Sequence, residues 1–594
     1  MFGGPLWSPI ALQPCNERAR LAPTYREMRV KQSLTSKLVA VGFSVGLMML
    51  SSTASFADAG AYLATRQALI DGDYQEQAHY AAKSLVSDPR NPALLETLIS
   101  AKISLGQFED AVGYATMLKD IEPQNQTAAM ILLTKYVQDE DWDKLLAALD
   151  AGAGISPIVD GLARAWAYVG KGEMGEAIRL FEEFEIGADG FNMFGPYSHA
   201  LALAMVGDFE GGVAILDAPT MMKTGGVVYA QAQMLSQLER NDEALTLIRD
   251  TFGPTSDPQI HAFEAQLEAG ESVPFTIVTN AQDGIAEIFF SVADAVNGEL
   301  GDGYTLLYSR IALELRPMKT HFALTVASIL ERMQHYDLAT QVYDSIDHDA
   351  PAYFVGELGR AAALQAEGKA DAELEVLRAL SKTHSDLPIV FTTLGDALRR
   401  EALYDDAITA YTTALEKTPT LTEAQWPVLF TRGIAYERNG DWDKAEADLR
   451  KALELQPGQP QVLNYMGYSF LEMNKNLEEA MTMIRAAVAA RPNDGYITDS
   501  LAWGLFRLRA YEDAVAPMEK AASLMPVDPI INDHLGDVYW AVGRTREARF
   551  QWARALSFDP EEKEAVRIRQ KMSIGLDRVL IEEGLEPTRE PHDG

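Results

Sequence analysis

Three short strings in this 594-residue sequence carry residue types that can do chemistry. Gly170-Lys171-Gly172-Glu173-Met174-Gly175 has the GxGxxG spacing that lets a backbone approach a pyrophosphate, a use that requires a strand before it and a helix after it. Here both flanks read as helices, so no dinucleotide unit is expected. Gly42-Phe43-Ser44-Val45-Gly46 has the spacing of a hydrolase nucleophile elbow, yet it lies inside an apolar run and not at a strand-to-helix turn. Asp347-His348-Asp349 offers two carboxylates and an imidazole, but near the end of a helical unit, where polar side chains satisfy free backbone groups. After residue 57 there is no HExxH, Walker loop or CxxC pair, and the nine histidines stand singly, without ligand spacing. The residues therefore predict no enzyme, no metal and no cofactor.

What the remaining residues must do is pack. From Pro388 to Pro560 one helical-hairpin unit is written five times, with a period near 34 residues. The first copy is marked by Phe391, Leu394-Gly395, Leu398, Ala407, Tyr411, Ala414 and Pro419, and the fifth by Leu535-Gly536, Tyr539, Ala548, Trp552, Ala555 and Pro560. Gly433, Gly467 and Ala502 hold the place of Gly395 in the copies between. Large apolar residues three or four apart make one stripe on each of two helices. The small residues let the helices approach closely, and the proline stops the second helix. One hairpin cannot bury its own stripe, whereas stacked hairpins can, each touching mainly its neighbours.

This pattern resembles the tetratricopeptide repeat, TPR. The resemblance implies an all-α fold, a right-handed α-solenoid of stacked hairpins, with room for two arms. On that reading residues 58–257 are a degenerate array of about six hairpins, 258–285 an irregular connector, 286–387 divergent units and 388–562 the five strong units. A charged capping helix follows over 563–585, broken or weakened at Gly575 and using Val566, Met572, Val579 and Leu580 as its stripe, and 586–594 is a disordered tail. In TPR arrays the first helix of each hairpin lines a concave groove. Carried onto this sequence, the groove positions are Phe430, Asn464, Tyr465, Tyr468, Asp499, Trp503, Phe506, Arg507, His534, Asp537 and Trp540. So aromatic a surface suits an extended peptide or a partner helix. The competing reading packs Trp503 and Phe506 between neighbouring hairpins. Of the Lys and Asn side chains with which some TPR clamps hold a terminal carboxylate, only Asn464 is matched, so that chemistry is not carried over.

The net charge is −35, and without residues 1–57 the remaining 45 basic and 84 acidic side chains give −39. Nucleic acid and anionic lipid are both repelled by such a chain. Arg29, Lys31 and Lys37 precede the apolar run Leu38 to Leu50, and Ser55-Phe56-Ala57 follows, in the order of a secretory signal. Residues 1–57 are thus read as an over-extended start, from Met1 to Glu27, followed by a signal peptide, with Asp58 the first mature residue and a periplasmic location. The alternative is a membrane anchor left by an uncleaved signal; after cleavage no stable membrane insertion is expected. The stretch Asn464 to Arg554, with Asp499-Ser500-Leu501-Ala502-Trp503 and Asn532-Asp533-His534-Leu535-Gly536, looks like exported TPR proteins of Gram-negative bacteria. Some of those are lipoproteins that act as adaptors for a carboxyl-terminal-processing protease. The lipid-attachment cysteine is missing here, since the one cysteine is Cys15. The function implied is a non-catalytic scaffold whose groove holds a protein or peptide, with an envelope protease or assembly factor as candidate partner. The alternative is a component of polysaccharide or pilus secretion machinery.

Overall fold

The computed structural model describes residues 53–589, apart from 186–193, 254–257, 300 and 419. The signal segment to residue 52, Pro419 and the tail over 590–594 lie outside the described residues. Among the described residues there are 31 α-helices and no strand, divided between two compact units, one up to Gly368 and one from Lys369.

The first unit opens with α1 (Thr53–Asp71), α2 (Tyr74–Leu85), α3 (Pro92–Ser104), α4 (Phe108–Ile121), α5 (Gln126–Gln138), α6 (Trp142–Asp150), α7 (Pro157–Gly170), α8 (Met174–Glu185), α9 (Phe194–Met205), α10 (Phe209–Leu216), α11 (Gly225–Gln237) and α12 (Asn241–Phe252). It continues with α13 (Pro258–Glu268), α14 (Ala281–Val296), α15 (Asp302–Leu315), α16 (Thr320–Arg332), α17 (Tyr336–Asp344) and α18 (Tyr353–Ala366). The second unit holds α19 (Ala370–Thr383), α20 (Pro388–Arg400), α21 (Tyr404–Glu416), α22 (Trp426–Arg438), α23 (Trp442–Leu455), α24 (Pro460–Glu472) and α25 (Leu477–Ala490). It closes with α26 (Gly495–Arg507), α27 (Tyr511–Leu524), α28 (Pro529–Ala541), α29 (Thr545–Leu556), α30 (Glu562–Ile574) and α31 (Leu576–Glu582).

Consecutive helices pack as antiparallel hairpins in both units. Pro388, Pro460 and Pro529 open α20, α24 and α28, where a missing N–H costs nothing. Between the two helices of each strong hairpin the chain passes through a left-handed residue: Ala402, Gly440, Asn474, Arg509 and Gly543, with φ of 57°, 84°, 54°, 60° and 89°, joined in the third hairpin by Asn476 (φ 46°). Glycine is the unstrained choice there. At the crossing of the paired helices a second kind of glycine is required by space. A Cβ on Gly536 would lie 2.4 Å from the Trp552 ring and one on Gly395 2.6 Å from Tyr411, whereas at Gly433 the nearest atom, on Leu449, is 3.1 Å away.

The irregular connector expected over 258–285 is mostly helical. Ile260, Phe263 and Leu267 share one buried face of α13, and α14 begins at Ala281. Only 269–280 is irregular, and side chains hold its backbone in place of a sheet partner. Ser236 accepts from the Val273 N–H (2.9 Å), Gln233 accepts from the Thr276 N–H (2.9 Å), and Arg316 donates to the Ile277 carbonyl. This stretch is internal to the first unit, which ends at Gly368.

Within the first unit, α14 lies on α7 and α9, and α15 on α3 and α5. These four are the first helices of successive hairpins, so the face that a TPR array leaves open is occupied by the chain itself. Gly284 makes room for Trp166, whose ring would meet a Cβ there at 2.3 Å. Beside it Arg316 bridges the buried Asp283 (2.9 Å) and Glu287 (3.6 Å), and burial pushes the Glu287 carboxyl up to about 7.

At the carboxyl end the chain breaks at Gly575 (φ 82°) into α30 and α31. Of the expected stripe, Val579 and Leu580 are buried and Met572 packs on the core, whereas Val566 is exposed and Ala565, Ile568 and Lys571 are buried on α30 in its place. The tail is also less free than its composition suggests: Glu586 to Arg589 bond to Arg509, Asp577 and Trp540.

The glycine contacts give a graded expectation. Gly433→Ala should be close to neutral, because the gain in helix propensity offsets a small shift of Leu449. Gly536→Ala should lower the stability of the second unit by ~1 to 3 kcal/mol, because it overpacks against Trp552. Chemical denaturation followed by tryptophan fluorescence checks the order; equal losses would show that the small-residue contact is not what sets the spacing.

Candidate functional site

The first helices α22, α24, α26 and α28 turn one stripe toward their own partners and leave a second row of residues three, four or seven apart. The row comprises Phe430, Ile434 and Glu437 on α22, then Asn464, Tyr465, Tyr468 and Glu472 on α24. It continues with Asp499, Trp503, Phe506 and Arg507 on α26 and Asp533, His534, Asp537 and Trp540 on α28.

On α22 and α24 this row stays partly open. Phe430, Asn464, Tyr465 and Tyr468 are half-buried. Tyr465 donates its hydroxyl to Glu437 (2.9 Å) and stands edge-on to Phe430 at 5.7 Å. Burial pushes the Tyr465 and Tyr468 phenols up, helped by Glu437 for the first and by Glu472 and Asp499 for the second. Both remain neutral donors. Asn464 keeps a buried side-chain oxygen without a partner.

On α26 the row closes. Trp503 is stacked between Phe506 (4.9 Å) and His534 (4.0 Å), nearly parallel to both, and its indole N–H donates to Glu472 (2.9 Å). Phe506 is buried, so the competing packing reading holds for it. Trp503 is half-buried with both ring faces taken, which leaves only its edge for a partner. Arg507 reaches solvent, 3.4 Å from the same Glu472 carboxylate.

On α28 the row is internal. His534 Nδ1 stands 3.0 Å from Asp499, and both are buried. Burial pulls the imidazole down, but Asp499, with Asp533 and Asp537 behind it, more than reverses this and leaves it raised. Asp537 is 1% exposed and accepts from the Trp552 indole (2.8 Å) and from Lys571 (2.7 Å), which also reaches Asp533 (2.7 Å). Trp540 donates to Asp577 on α31 (2.8 Å). Asp499, His534, Asp537 and Trp540 are therefore not free groove residues. The last hairpin has no successor, so α30 and α31 take the face that a further repeat would cover.

The open part of the row is thus shorter than the sequence reading, and it gains Ile434, Glu437 and Glu472. Their signal is in the spacing, since Glu437 follows Phe430 by seven residues and Glu472 follows Tyr468 by four. Of the strings with catalytic spacing, Gly42 to Gly46 lies outside the described residues and the other two lie at turns. Gly172 (φ 77°) makes the α7–α8 turn, and Asp347 accepts from the Asp349 N–H (3.0 Å) while His348 stacks on Tyr353. Among the described residues no group of three or more His, Cys, Asp or Glu stands together as a metal would need.

A profile of the family described as tetratricopeptide repeat matches residues 426–459, the hairpin α22–α23. The chain thus carries a tetratricopeptide repeat. A TPR repeat-containing protein of Pseudomonas aeruginosa is 30% identical over 110 residues, 18% of this chain and 18% of that protein. Anaphase-promoting complex subunit 7 of Mus musculus is 32% identical over 112 residues, 19% of this chain and 20% of that one. The TPR chain therefore spans about a fifth of the length of the curated relatives it matches. Among solved structures, the Cut9–Hcn1 hetero-tetramer of the APC/C has 15% identity and a TM-score of 0.37 over 89% of this chain and 99% of that one. Yeast Tom70 has 13% identity and a TM-score of 0.28 over 89% and 97%.

The His534–Asp499 pair makes the second unit of this TPR protein pH-dependent. Because the folded state raises the His534 pKa, the protonated pair contributes fully below the ordinary histidine value of about 6.5 and its contribution fades as pH rises through the raised value. The melting difference between wild type and His534→Gln should be larger near pH ~5.5 than near pH ~9. A difference that grows with pH would show the imidazole to be buried neutral.

Proposed function

We propose that this TPR protein is an exported, non-catalytic scaffold that holds an extended segment of a protein partner along α22, α24 and the exposed edge of α26. The observation that carries this is the row Phe430, Tyr465 and Tyr468 with Glu437 and Glu472. Its apolar faces are half-open, and Tyr465, Glu437 and Glu472 are fixed by hydrogen bonds to neighbours before any partner arrives. Pre-positioned groups of this kind lower the entropy lost on binding. The first unit supports the reading by contrast, since α14 and α15 already fill its corresponding face. The TPR fold is in general a protein-interaction scaffold. The finer assignment, a periplasmic adaptor for an envelope protease or assembly factor, rests on the signal-like order Arg29 to Ala57 and on the resemblance over Asn464 to Arg554.

Truncating aromatic anchors buried by a partner costs ~2 kcal/mol or more of binding. A Phe430→Ala, Tyr468→Ala double variant should lose at least ~10-fold in affinity for a captured partner, while its melting changes little because both side chains are half-buried. Undiminished binding would contradict the groove. For export, sequencing the amino terminus of the purified protein should find Asp58 first; recovery of a form that retains Leu38 to Leu50 would overturn it.

A further inference from the structure

The tail of the second unit is bound like a ligand. From Gly584 the chain leaves α31 and runs without regular structure, bending at Thr588 and Arg589, past Arg509 after α26 and Trp540 near the end of α28. Arg509 meets it first, pairing with Glu586 (2.5 Å) and donating to the Pro587 carbonyl (3.2 Å). Asp577 comes next: one carboxylate oxygen accepts from the Thr588 N–H (2.7 Å), the Thr588 hydroxyl (2.6 Å) and the Arg589 N–H (3.3 Å). Arg589 ends the run, donating to the Trp540 carbonyl at the end of α28 and lying 5.5 Å from the centre of the Trp540 ring. Main chain and side chains are both engaged, as in recognition of a peptide. The receiving groups are held independently of the tail, since Trp540 and Asp577 bond to each other (2.8 Å). Arg509 occupies a left-handed position (φ 60°), which other hairpins give to glycine or to smaller side chains at Gly440, Gly543, Ala402 and Asn474.

We infer that Arg509, Asp577 and Trp540 form a second peptide site, distinct from the row on α22 and α24. It takes a segment with an acidic residue followed three positions later by a basic one, and Glu586 to Arg589 occupy it in cis as a strap. The spacing is set by the receptor: Arg509 needs the carboxylate, Asp577 the consecutive amides and hydroxyl, and the Trp540 face the cation. A protein segment of the same pattern must displace the strap, so access to this site is controlled by the chain's own terminus. If, as proposed above, a partner lies along α22 to α26, its continuation meets this site next; that step alone rests on the groove reading.

The test uses a dye-labelled peptide with the sequence of Gly584 to Gly594 and a scrambled control. Fluorescence anisotropy is measured on the full chain, on a chain ending at Leu585, and on the full-length Glu586→Ala, Arg589→Ala double variant. The peptide should bind the shortened chain saturably and the full chain at least ~10-fold more weakly, because the tethered strap outcompetes it. Adding Arg509→Ala to the shortened chain should abolish binding. If the shortened chain is unstable, the double variant with the strap loosened serves in its place and should gain binding over wild type. Absence of peptide binding to a released chain with normal circular dichroism, or equal binding to released and intact chains, would overturn the inference. Neither result bears on the Phe430 and Tyr468 variants, so the two sites fail separately.

Discussion

Each hairpin buries its apolar stripe only by sharing that stripe with the next hairpin, and this leaves the end of the array with nothing to cover it. At the carboxyl end of the second unit the problem is met with a buried charge. Lys571 has no solvent exposure, and its ammonium lies 2.7 Å from both Asp533 and Asp537 on the last first helix. Taking three charges out of water costs several kcal/mol per ion, and only short, multiple hydrogen bonds recover it. An apolar contact would have been cheaper. The pair instead fixes the rotation of α30 on α28, and with it the positions of Asp577, Trp540 and the strap.

Asp499, with a smaller contribution from Asp533 and Asp537, raises the His534 pKa against the effect of burial, and Trp503 lies flat against that ring. The Trp503 ring, stacked on His534 and on Phe506, is a spacer that sets the distance from α26 to α28. On α22 an ion pair, Arg432 with Asp448, faces the partner helix α23, and the row on α22 and α24 keeps open edges. In the first unit, where α14 and α15 lie on the first helices, the array serves its own core.

How much of this could be read from the sequence depends on the range of the interaction. The hairpins follow from local rules, with Gly395, Gly433 and Gly536 at crossings and prolines at helix starts, and the all-α repeat architecture was legible from them. The groove was half legible. Position on a first helix puts Tyr465, Asp537 and Trp540 in the same class, and only the placement of Lys571 and α31, more than thirty residues later, separates open from covered. For the same reason the segment before α14 read as a boundary. Its β-branched residues have no local partner, and the side chains that hold it, Gln233, Ser236 and Arg316, lie about forty residues to either side.

The central claim is that the exposed row of first helices, and not the outer face, meets the partner. A photo-crosslinking amino acid placed at Tyr468, with a control at the exposed Arg485 on the outer helix α25, tests this most directly in the cells that make the protein. The account predicts a discrete crosslinked product from position 468 that is absent from position 485. The same products from both positions, or none from 468 while 485 yields one, would contradict it.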